Sequence, residues 1–300
     1  MKTVKNKAAS IRQLLYNRAQ AEKRPFDELL QYYAMERFLY RLSRSPHADK
    51  FVLKGALMLR VWESPELRPT RDIDMLGRTS NLESDVVGQV KDIIAVKVED
   101  DGLVFDADSI EVEQITEDAD YTGIRVVFRG RLGTARIHMQ FDAGFGDIVY
   151  PKPEIMCYPT IFDSPAPSLL CYSRESAIAE KLEAMVKLGE LNSRMKDFFD
   201  IWLMSRQSYF VGEDLAEAIR LTFEQRGTAI PEKIPAFNIS FAEDKQQQWD
   251  SFRKKLQQDH IPASFDEIIS ALGEFATPIV SAICSGSRIP SHWKAPGGWK

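Results

Sequence analysis

Cysteine is scarce in this sequence and forms no recognisable motif. The 300 residues include three cysteines, Cys157, Cys171 and Cys284, which are far apart along the chain. Zinc sites and redox-active pairs usually contain a C-x-x-C spacing, and no two of these residues have it. The pattern favours reduced thiols over a disulfide framework or a structural zinc site, and we assign the cysteines no chemical role.

Long apolar runs are also missing. No stretch approaches the roughly 20 apolar residues that a membrane-spanning helix needs, and the N-terminal stretch MKTVKNKAASIRQLL lacks the apolar core of a signal peptide. We therefore expect a cytoplasmic protein that does not contact a membrane. Apolar residues make up 44% of the chain, which is enough for a substantial core in one large or two ordinary domains.

Positive charge is in the minority. The formal net charge of -5 argues against indiscriminate binding to nucleic acid. The first two dozen residues are an exception, because seven basic residues there accompany a single acid, Glu22. This segment could attract phosphates, or it could be a solvated helix face with a frayed end. The basic residues are Lys2, Lys5, Lys7, Arg12, Arg18, Lys23 and Arg24.

The apolar pattern predicts helices first and a sheet after them. Residues 7–45 read as two helices, KFVLKG as a short strand that ends at Gly55, and ALMLRVW as another helix. RDIDMLG reads as a second strand, and the apolar segments after residue 102 read as further strands, so that four or five strands follow one another. This order predicts an α+β fold.

Prolines between residues 150 and 172 are expected to interrupt regular structure and to form a linker. Ser173 would then begin a helix that ends at Gly189, followed by further helices. The predicted domains are a sheet core with N-terminal helices at residues 1–160, a helical domain at residues 161–285, and a poorly ordered tail at residues 286–300.

Asp72 and Asp74 alternate with apolar residues in the segment RDIDMLG. On a strand both carboxylates would face the same side, where like charges repel. A divalent cation removes this conflict, and carboxylate oxygens suit Mg²⁺ that also holds substrate phosphates. Because a D-x-D pair is common by chance, its neighbours decide how it is interpreted.

Two neighbours support a nucleotide–metal site. Gly55 ends a strand and begins a helix, where backbone N–H groups could hold a phosphate. Asp142 lies in a later strand, and antiparallel pairing beside RDIDML could bring it to the same site as a metal ligand or a general base. Three acids with a divalent cation would be sufficient in kind for phosphoryl or nucleotidyl transfer.

Basic residues should complete such a site. Lys181 is the candidate contact for a triphosphate, although the ordinary explanation for a single helix lysine is a solvated side chain. Asp197 and Asp200 share one helix face among apolar residues, so they need a cationic partner such as Lys181, an arginine or the nearby Lys196. The possible helpers at the phosphates are Arg68, Arg71, Lys187, Arg194 and Lys196.

The chain resembles the AbiEii/AbiGii nucleotidyltransferase toxin family in three blocks that occur in order and at suitable spacing. The blocks are LKGALMLRVWESPELRPTRDIDM, IHMQFDAGFGDIVYPKP and AIAEKLEAMVKLGELNSRMKDFFDIW. The chain is similar, more distantly, to the DNA polymerase beta type nucleotidyltransferases. The resemblance implies a polymerase-beta-like mixed sheet with flanking helices, so that residues 1–160 would be the nucleotidyltransferase core.

The same resemblance implies an enzyme, a toxin of a type IV-like toxin–antitoxin or phage-defence pair that uses a nucleoside triphosphate with Mg²⁺ or Mn²⁺. Related MenT-like toxins transfer nucleotides to the 3′ end of tRNA, which implies an RNA acceptor and a block of translation. A cognate antitoxin, expected to be a winged-helix protein, is implied as well. Two alternatives stay open. One modifies a protein or small molecule or transfers phosphate, and the other is a non-catalytic nucleotide-binding module.

Residue by residue, the resemblance assigns Asp72 and Asp74 to the metal-binding pair of the catalytic site. It assigns Lys181 to the helix lysine of the family, and Asp197 or Asp200 to the acid of the last motif. Each of these residues lies within one of the three blocks.

Arg68 and Thr70 match the basic-polar lead-in of the family motif, and Asp142 takes the place of the third carboxylate by its strand position. The chain departs from the family at Gly55-Ala56, where the family generally has Gly-Gly, Gly-Ser or Gly-Thr. Without a hydroxyl at Ala56 we expect altered nucleotide contacts through the backbone rather than a dead site.

Overall fold

The computed structural model describes residues 6–64, 68–117, 121–256 and 258–300. Lys2 and Lys5 of the predicted basic segment lie outside the described residues. The chain divides into two compact units. The first comprises Met1–Gly146 and Glu154–Cys171, and the second comprises Asp147–Pro153 and Tyr172–Lys300.

The first unit combines helices with the strands of one sheet, and it begins with the two helices that the sequence predicts. In chain order its elements are α1 (Lys7–Glu22), α2 (Phe26–Arg44), β1 (Phe51–Leu53), a 3₁₀ turn (Gly55–Leu57), α3 (Met58–Val61), β2 (Asp72–Gly77), α4 (Glu83–Ala95), β3 (Leu103–Glu117), β4 (Tyr121–Leu132), β5 (Ala135–Phe145), β6 (Glu154–Cys157) and β7 (Ser168–Cys171).

The strands form a seven-stranded sheet in the order β3-β4-β5-β2-β1-β7-β6. β3, β4 and β5 are antiparallel neighbours, whereas β2 runs parallel to β5 and antiparallel to β1. β7 is parallel to β1, and β6 is antiparallel to β7. The sheet is therefore mixed, which confirms the predicted α+β fold class.

Helix α2 covers one face of this sheet. The ring of Phe38 lies 5.4 Å from that of Phe128 and 5.9 Å from that of Phe141, measured between ring centroids, and all three are buried. Ile73, which lies between Asp72 and Asp74 in the sequence, is fully buried. Because successive side chains of a strand point to opposite faces, the two aspartates are on the face away from Ile73.

The predicted linker at residues 150–172 is wrong, because this segment contributes β6 and β7 to the sheet. β7 lies beside β1, and β6 forms the edge of the sheet. Prolines in this segment lie outside both strands, so they remove no N–H donor from the strand ladder. They are Pro151, Pro153, Pro159, Pro165 and Pro167.

The second unit is largely helical, which confirms the predicted helical C-terminal half. Ser173 caps its first helix by accepting a hydrogen bond from the Ser176 N–H, and Gly189 follows the last helical residue, as predicted. In chain order the elements are α5 (Arg174–Leu188), a 3₁₀ turn (Gly189–Leu191), α6 (Met195–Gln207), β8 (Phe210–Val211), α7 (Gly212–Gln225), α8 (Ile239–Leu256), α9 (Phe265–Ser285) and β9 (His292–Trp293).

The C-terminal residues differ from the predicted poorly ordered tail. β9 pairs with β8, and Trp293 is 3% exposed. The ring of Trp299 stacks on that of Phe275 with 5.8 Å between centroids. Burial of these aromatic rings holds the end of the chain against the second unit. The domain boundaries that the sequence predicts at residues 160 and 285 stay a prediction, since the division into two compact units does not test them.

Helix α9 corrects the expectation that no run is long and apolar enough to span a membrane. It has 21 residues and meets that criterion by length and composition. Ile268, Leu272, Phe275 and Ile279 recur on one side of the helix and are fully buried, as in a helix that packs in a core. A core helix passes the same test, so this finding is weak support for a membrane span.

The three cysteines are free thiols, as the sequence predicts. Cys157 and Cys284 are exposed, whereas Cys171 is buried. Burial raises the pKa of the Cys171 thiol to about 12, so this group stays protonated and unreactive at neutral pH.

Candidate active site

Three carboxylates meet on neighbouring strands in the middle of the sheet. Asp74 of β2 lies directly opposite Asp142 of β5, and Asp72 lies opposite Gln140. One oxygen from each of Asp72, Asp74 and Asp142 lies within 4.8 Å of the other two. We call these three residues the carboxylate cluster. The predicted antiparallel pairing is wrong, because the chain crosses over through α4, β3 and β4 and returns to β2 in the parallel direction.

Gly55 packs directly against Asp74. Its φ is +71°, and a Cβ placed on it would lie 1.9 Å from Asp74 Oδ2. The backbone N–H of Lys54 donates to the Asp74 carbonyl at 3.0 Å, which fixes the Gly55 turn beside β2. Gly55 also begins a short helical segment, as predicted, in which Ala56 is 5% exposed. This position therefore requires glycine both for its backbone conformation and for its proximity to a carboxylate.

The segment that leads into β2 is held from α2. The hydroxyl of Tyr32 donates to the Arg68 carbonyl and accepts from the Thr70 N–H, each at 3.3 Å. The Thr70 hydroxyl in turn donates to the Asp72 carboxylate. A chain of hydrogen bonds thus runs from a core helix to the first acid of the cluster, and it uses the predicted lead-in residues Arg68 and Thr70.

Arg125 of β4 is the cross-strand neighbour of Asp142. Its Nε and Nη2 donate to Asp142 Oδ1 and Oδ2 at 2.9 and 2.8 Å, and Gln140 Nε2 donates to Oδ2 at 2.9 Å. The hydrogen bond to Asp142 is the main reason why the pKa of the Arg125 guanidinium is raised. Three donors occupy three of about four lone-pair positions of the Asp142 carboxylate, which leaves room for one further contact.

Charged residues form a row across the sheet at this level. Glu113 of β3 pairs with Arg125, Arg125 with Asp142, and Asp142 with Asp74. Lys54 follows β1, and its Nζ lies 4.0 Å from a Cβ placed on Gly144 of β5. A cationic group therefore flanks the carboxylate cluster on each side, Arg125 from β4 and Lys54 from the end of β1.

Sequence reasoning missed Arg125, Gln140 and Lys54. Gln140 could have been found, because it precedes Asp142 by two residues and so shares its strand face. Lys54 could have been found from its position next to Gly55. Arg125 carried no local signal, because only the register of β4 against β5 brings it to Asp142.

A second cluster of predicted residues lies on α5 and α6. Lys181 Nζ is 2.8 Å from Asp197 Oδ1 and 3.0 Å from Asp200 Oδ2, and Arg194 Nε is 2.8 Å from Asp197 Oδ2. Asp197 and Asp200 are buried, so the prediction that they need a cationic partner is confirmed. Burial acts to raise the pKa of Asp197, but Lys181 and Arg194 outweigh it and lower the pKa to about 2.

The predicted site residues thus fall into one group in each unit. Arg71, Lys187 and Lys196 are exposed. That both groups serve one site stays a prediction, as does the contact of Lys181 with a triphosphate. The first group is Gly55, Ala56, Arg68, Thr70, Arg71, Asp72, Asp74 and Asp142, and the second is Lys181, Lys187, Arg194, Lys196, Asp197 and Asp200.

The carboxylate cluster fits a divalent cation. Its ligands are all oxygens, as Mg²⁺ and Mn²⁺ prefer. Ligands of an octahedral Mg²⁺ are about 3 Å apart when adjacent and about 4.2 Å apart when opposite. The three oxygens lie within 4.8 Å of one another, so side-chain rotation would bring them together around one ion. The remaining lone-pair position of Asp142 allows it to join Asp72 and Asp74.

One family of known proteins matches most of the chain, and its description agrees with this chemistry. A family model described as "Nucleotidyl transferase AbiEii toxin, Type IV TA system" matches residues 37–271. No curated protein matches the chain. The fold is similar to that of a Helicobacter pylori protein described as a candidate nucleotidyltransferase, with a TM-score of 0.44 and 16% identity over 87% of this chain and 98% of the other. It is also similar to Helicobacter pylori JHP933, with a TM-score of 0.41 and 15% identity over 83% and 90% of the two chains.

Gly55→Ala should weaken the binding of Mn²⁺ at least about 10-fold, because the new methyl group would overlap the Asp74 carboxylate. The left-handed backbone adds strain of about 1–2 kcal/mol, and the new Cβ would also lie 2.8 Å from Asp74 Cβ, so circular dichroism should first show that the variant is folded. Isothermal titration calorimetry with Mn²⁺ measures the effect. Gly88→Ala is the matched control, because a Cβ at Gly88 meets nothing within 4 Å. A folded Gly55→Ala variant with normal Mn²⁺ affinity would contradict the assigned role of Gly55.

Arg125→Lys separates charge from geometry at Asp142, since lysine keeps the charge but loses the two-pronged hydrogen bond. If the guanidinium orients Asp142, Arg125→Lys should weaken Mn²⁺ binding about 10-fold, much as Arg125→Ala does. Arg131→Lys on the same strand serves as the control. A lysine variant that binds Mn²⁺ like the unmodified protein would show that charge alone matters.

Asp197→Asn should destabilise the second unit by about 2 kcal/mol at pH 7, from the difference between the ordinary pKa of 3.8 and about 2. The folded pKa is depressed, so the contribution is complete above about pH 5 and is lost as the pH falls through the unfolded pKa towards 2. Urea unfolding followed by tryptophan fluorescence at pH 7 and pH 3 measures it, since Trp202, Trp249, Trp293 and Trp299 lie in that unit. Asp244→Asn, at an exposed position of α8, is the control. An equal decrease in the free energy of unfolding at both pH values would argue against a stabilising ion pair at Asp197.

Proposed function

We infer that this chain, which belongs to the AbiEii nucleotidyl transferase toxin family of type IV toxin–antitoxin systems, transfers a nucleotide from a nucleoside triphosphate to an RNA acceptor. The observation that carries the inference is the carboxylate cluster, whose oxygens lie within 4.8 Å of one another beside the glycine turn at Gly55. The family supplies the reaction class, and the cluster supplies the residues that would perform it.

The proposed reaction is a displacement at the α-phosphorus. A terminal hydroxyl oxygen of the acceptor forms a bond to that phosphorus, the bond to the bridging oxygen of the β-phosphate breaks, and pyrophosphate leaves. The hydroxyl proton passes to water, because three hydrogen bonds and the cation would occupy the lone pairs of Asp142. When bound, Mg²⁺ or Mn²⁺ would neutralise phosphate charge and align the reacting oxygens.

The side chains around the cluster have distinct tasks in this proposal. Asp72 and Asp74 bind the cation from one strand, and Asp142 completes the set from the next. Arg125 and Thr70 hold Asp142 and Asp72 in place through their hydrogen bonds. Gly55 has no side chain, which allows the Asp74 carboxylate to pack against the backbone of this turn.

The 3′ end of tRNA is the proposed acceptor, by analogy with MenT-like toxins that the sequence also resembles. Extension of that end would prevent aminoacylation and so block translation in the cytoplasm. We further propose that the antitoxin of the pair is a winged-helix protein and that the pair acts in phage defence.

Incubation of the protein with total tRNA, Mg²⁺ and each of the four labelled nucleoside triphosphates tests the reaction, donor and acceptor together. We expect label in RNA of increased length on a denaturing gel. Asp72→Asn and Asp74→Asn should each lower the rate by about 100-fold or more, because each removes a ligand charge from the cluster. Asp85→Asn, at an exposed position of α4, is the control.

Another acceptor or another reaction would give a different result in the same experiment, and a toxicity assay tests the non-catalytic alternative. Label in protein or in a small molecule, with none in RNA, would show another acceptor. Transfer from a γ-labelled but not an α-labelled donor would show phosphoryl transfer. Toxicity that survives Asp74→Asn would favour a binding module without catalysis.

A further inference from the structure

Beyond the carboxylate cluster, the same face of the β4–β5 hairpin carries a strip of basic residues. Arg129 pairs with His138 across the two strands, and Arg131 pairs with Arg136, in unbroken register with the pair of Arg125 and Asp142. Cross-strand partners point to the same face, and the four residues Arg129, Arg131, Arg136 and His138 are exposed. We call these four residues the basic strip.

The opposite face of the hairpin explains why the strip is exposed. Phe128, Leu132, Ile137 and Met139 alternate with the basic residues and are buried on the side of the core. The strip is therefore fixed on a rigid part of the sheet, and its direction relative to Asp142 is set by the strands.

The strip lies too far from the cluster to hold the triphosphate of a bound nucleotide. Arg129 is four residues and Arg131 six residues along β4 from Arg125, which at about 3.4 Å per residue corresponds to roughly 14 and 20 Å. These distances suit the body of a larger polyanion whose end reaches the cluster.

The charge of the hairpin contrasts with that of the chain. Residues 121–145 contain four arginines and one aspartate, although the chain as a whole carries a formal net charge of -5. Within the described residues, Arg129, Arg131 and Arg136 form no ion pair. Asp106 of β3, opposite Arg129, is the nearest acid by register. At the hairpin turn, Arg12 of α1 donates to the Thr134 hydroxyl at 3.2 Å and adds a positive charge to that end.

We propose that the basic strip binds the phosphate backbone of the acceptor RNA and directs its end to the carboxylate cluster. This inference rests on the proposed function. Arginine suits phosphate because its guanidinium offers paired N–H donors, and the strip contains no large apolar side chain that would anchor a protein partner. An RNA backbone is therefore a better match to this surface than a protein.

Binding of fluorescently labelled total tRNA by the Arg131→Ala/Arg136→Ala variant tests the strip. We expect an affinity about 10-fold lower in anisotropy titrations, and a slope of log affinity against log salt smaller by about 1 to 2, since two phosphate contacts are lost. Lys254→Ala/Lys255→Ala is the matched control, because it removes two exposed positive charges from α8 of the second unit.

Mn²⁺ binding and the affinity for nucleoside triphosphate should be the same in both double variants, since neither touches the cluster. Equal tRNA affinity and salt slope in the two variants would overturn the proposal, as would a preference of the strip for polyglutamate over tRNA. If Arg131→Ala/Arg136→Ala transfers nucleotides and binds tRNA with unaltered affinity, the role of the basic strip is rejected but the proposed function is not. If tRNA binding depends on the basic strip but the unmodified protein transfers no nucleotide, the proposed function is rejected and the role of the strip is not.

Discussion

Repulsion among three carboxylates is the constraint that the centre of this sheet has to meet. Asp72, Asp74 and Asp142 have oxygens within 4.8 Å of one another, and the ladder between β2 and β5 holds their backbones in that register. Hydrogen bonds from Thr70 to Asp72 and from Arg125 to Asp142 offset the repulsion. A divalent cation would complete this compensation, so the same crowding that destabilises the bare site favours binding of the ion.

The apolar face of the sheet protects this arrangement. A shift of β2 by one residue would turn Asp72 and Asp74 towards α2 and place Ile73 in the solvent-facing row. Burial of Ile73 beside Phe141, its partner on β5, disfavours such a shift, because both side chains are fully buried. The apolar core residues thus determine the strand register that brings the three acids together.

Sequence patterns predicted the parts of the fold that have local causes. Periodic apolar residues gave the helices, and the caps at Ser173 and Gly189 gave the ends of α5. Proline content was misleading, because Pro151 and its neighbours lie between strands rather than in a linker. The partnership of Arg125 with Asp142 depends on strand register, which no local pattern contains. The parallel pairing of β2 with β5 was missed for the same reason.

The two charge patterns on the exposed face act differently on an RNA chain. The basic strip attracts phosphates wherever they lie along the chain, whereas the carboxylate cluster repels any phosphate that is not bridged by a cation. An internal phosphodiester at the cluster would meet this repulsion, but a terminal hydroxyl carries no charge to be repelled. If the strip binds the backbone as proposed, this opposition favours the end of an RNA over its interior, which is the geometry that addition of a nucleotide requires.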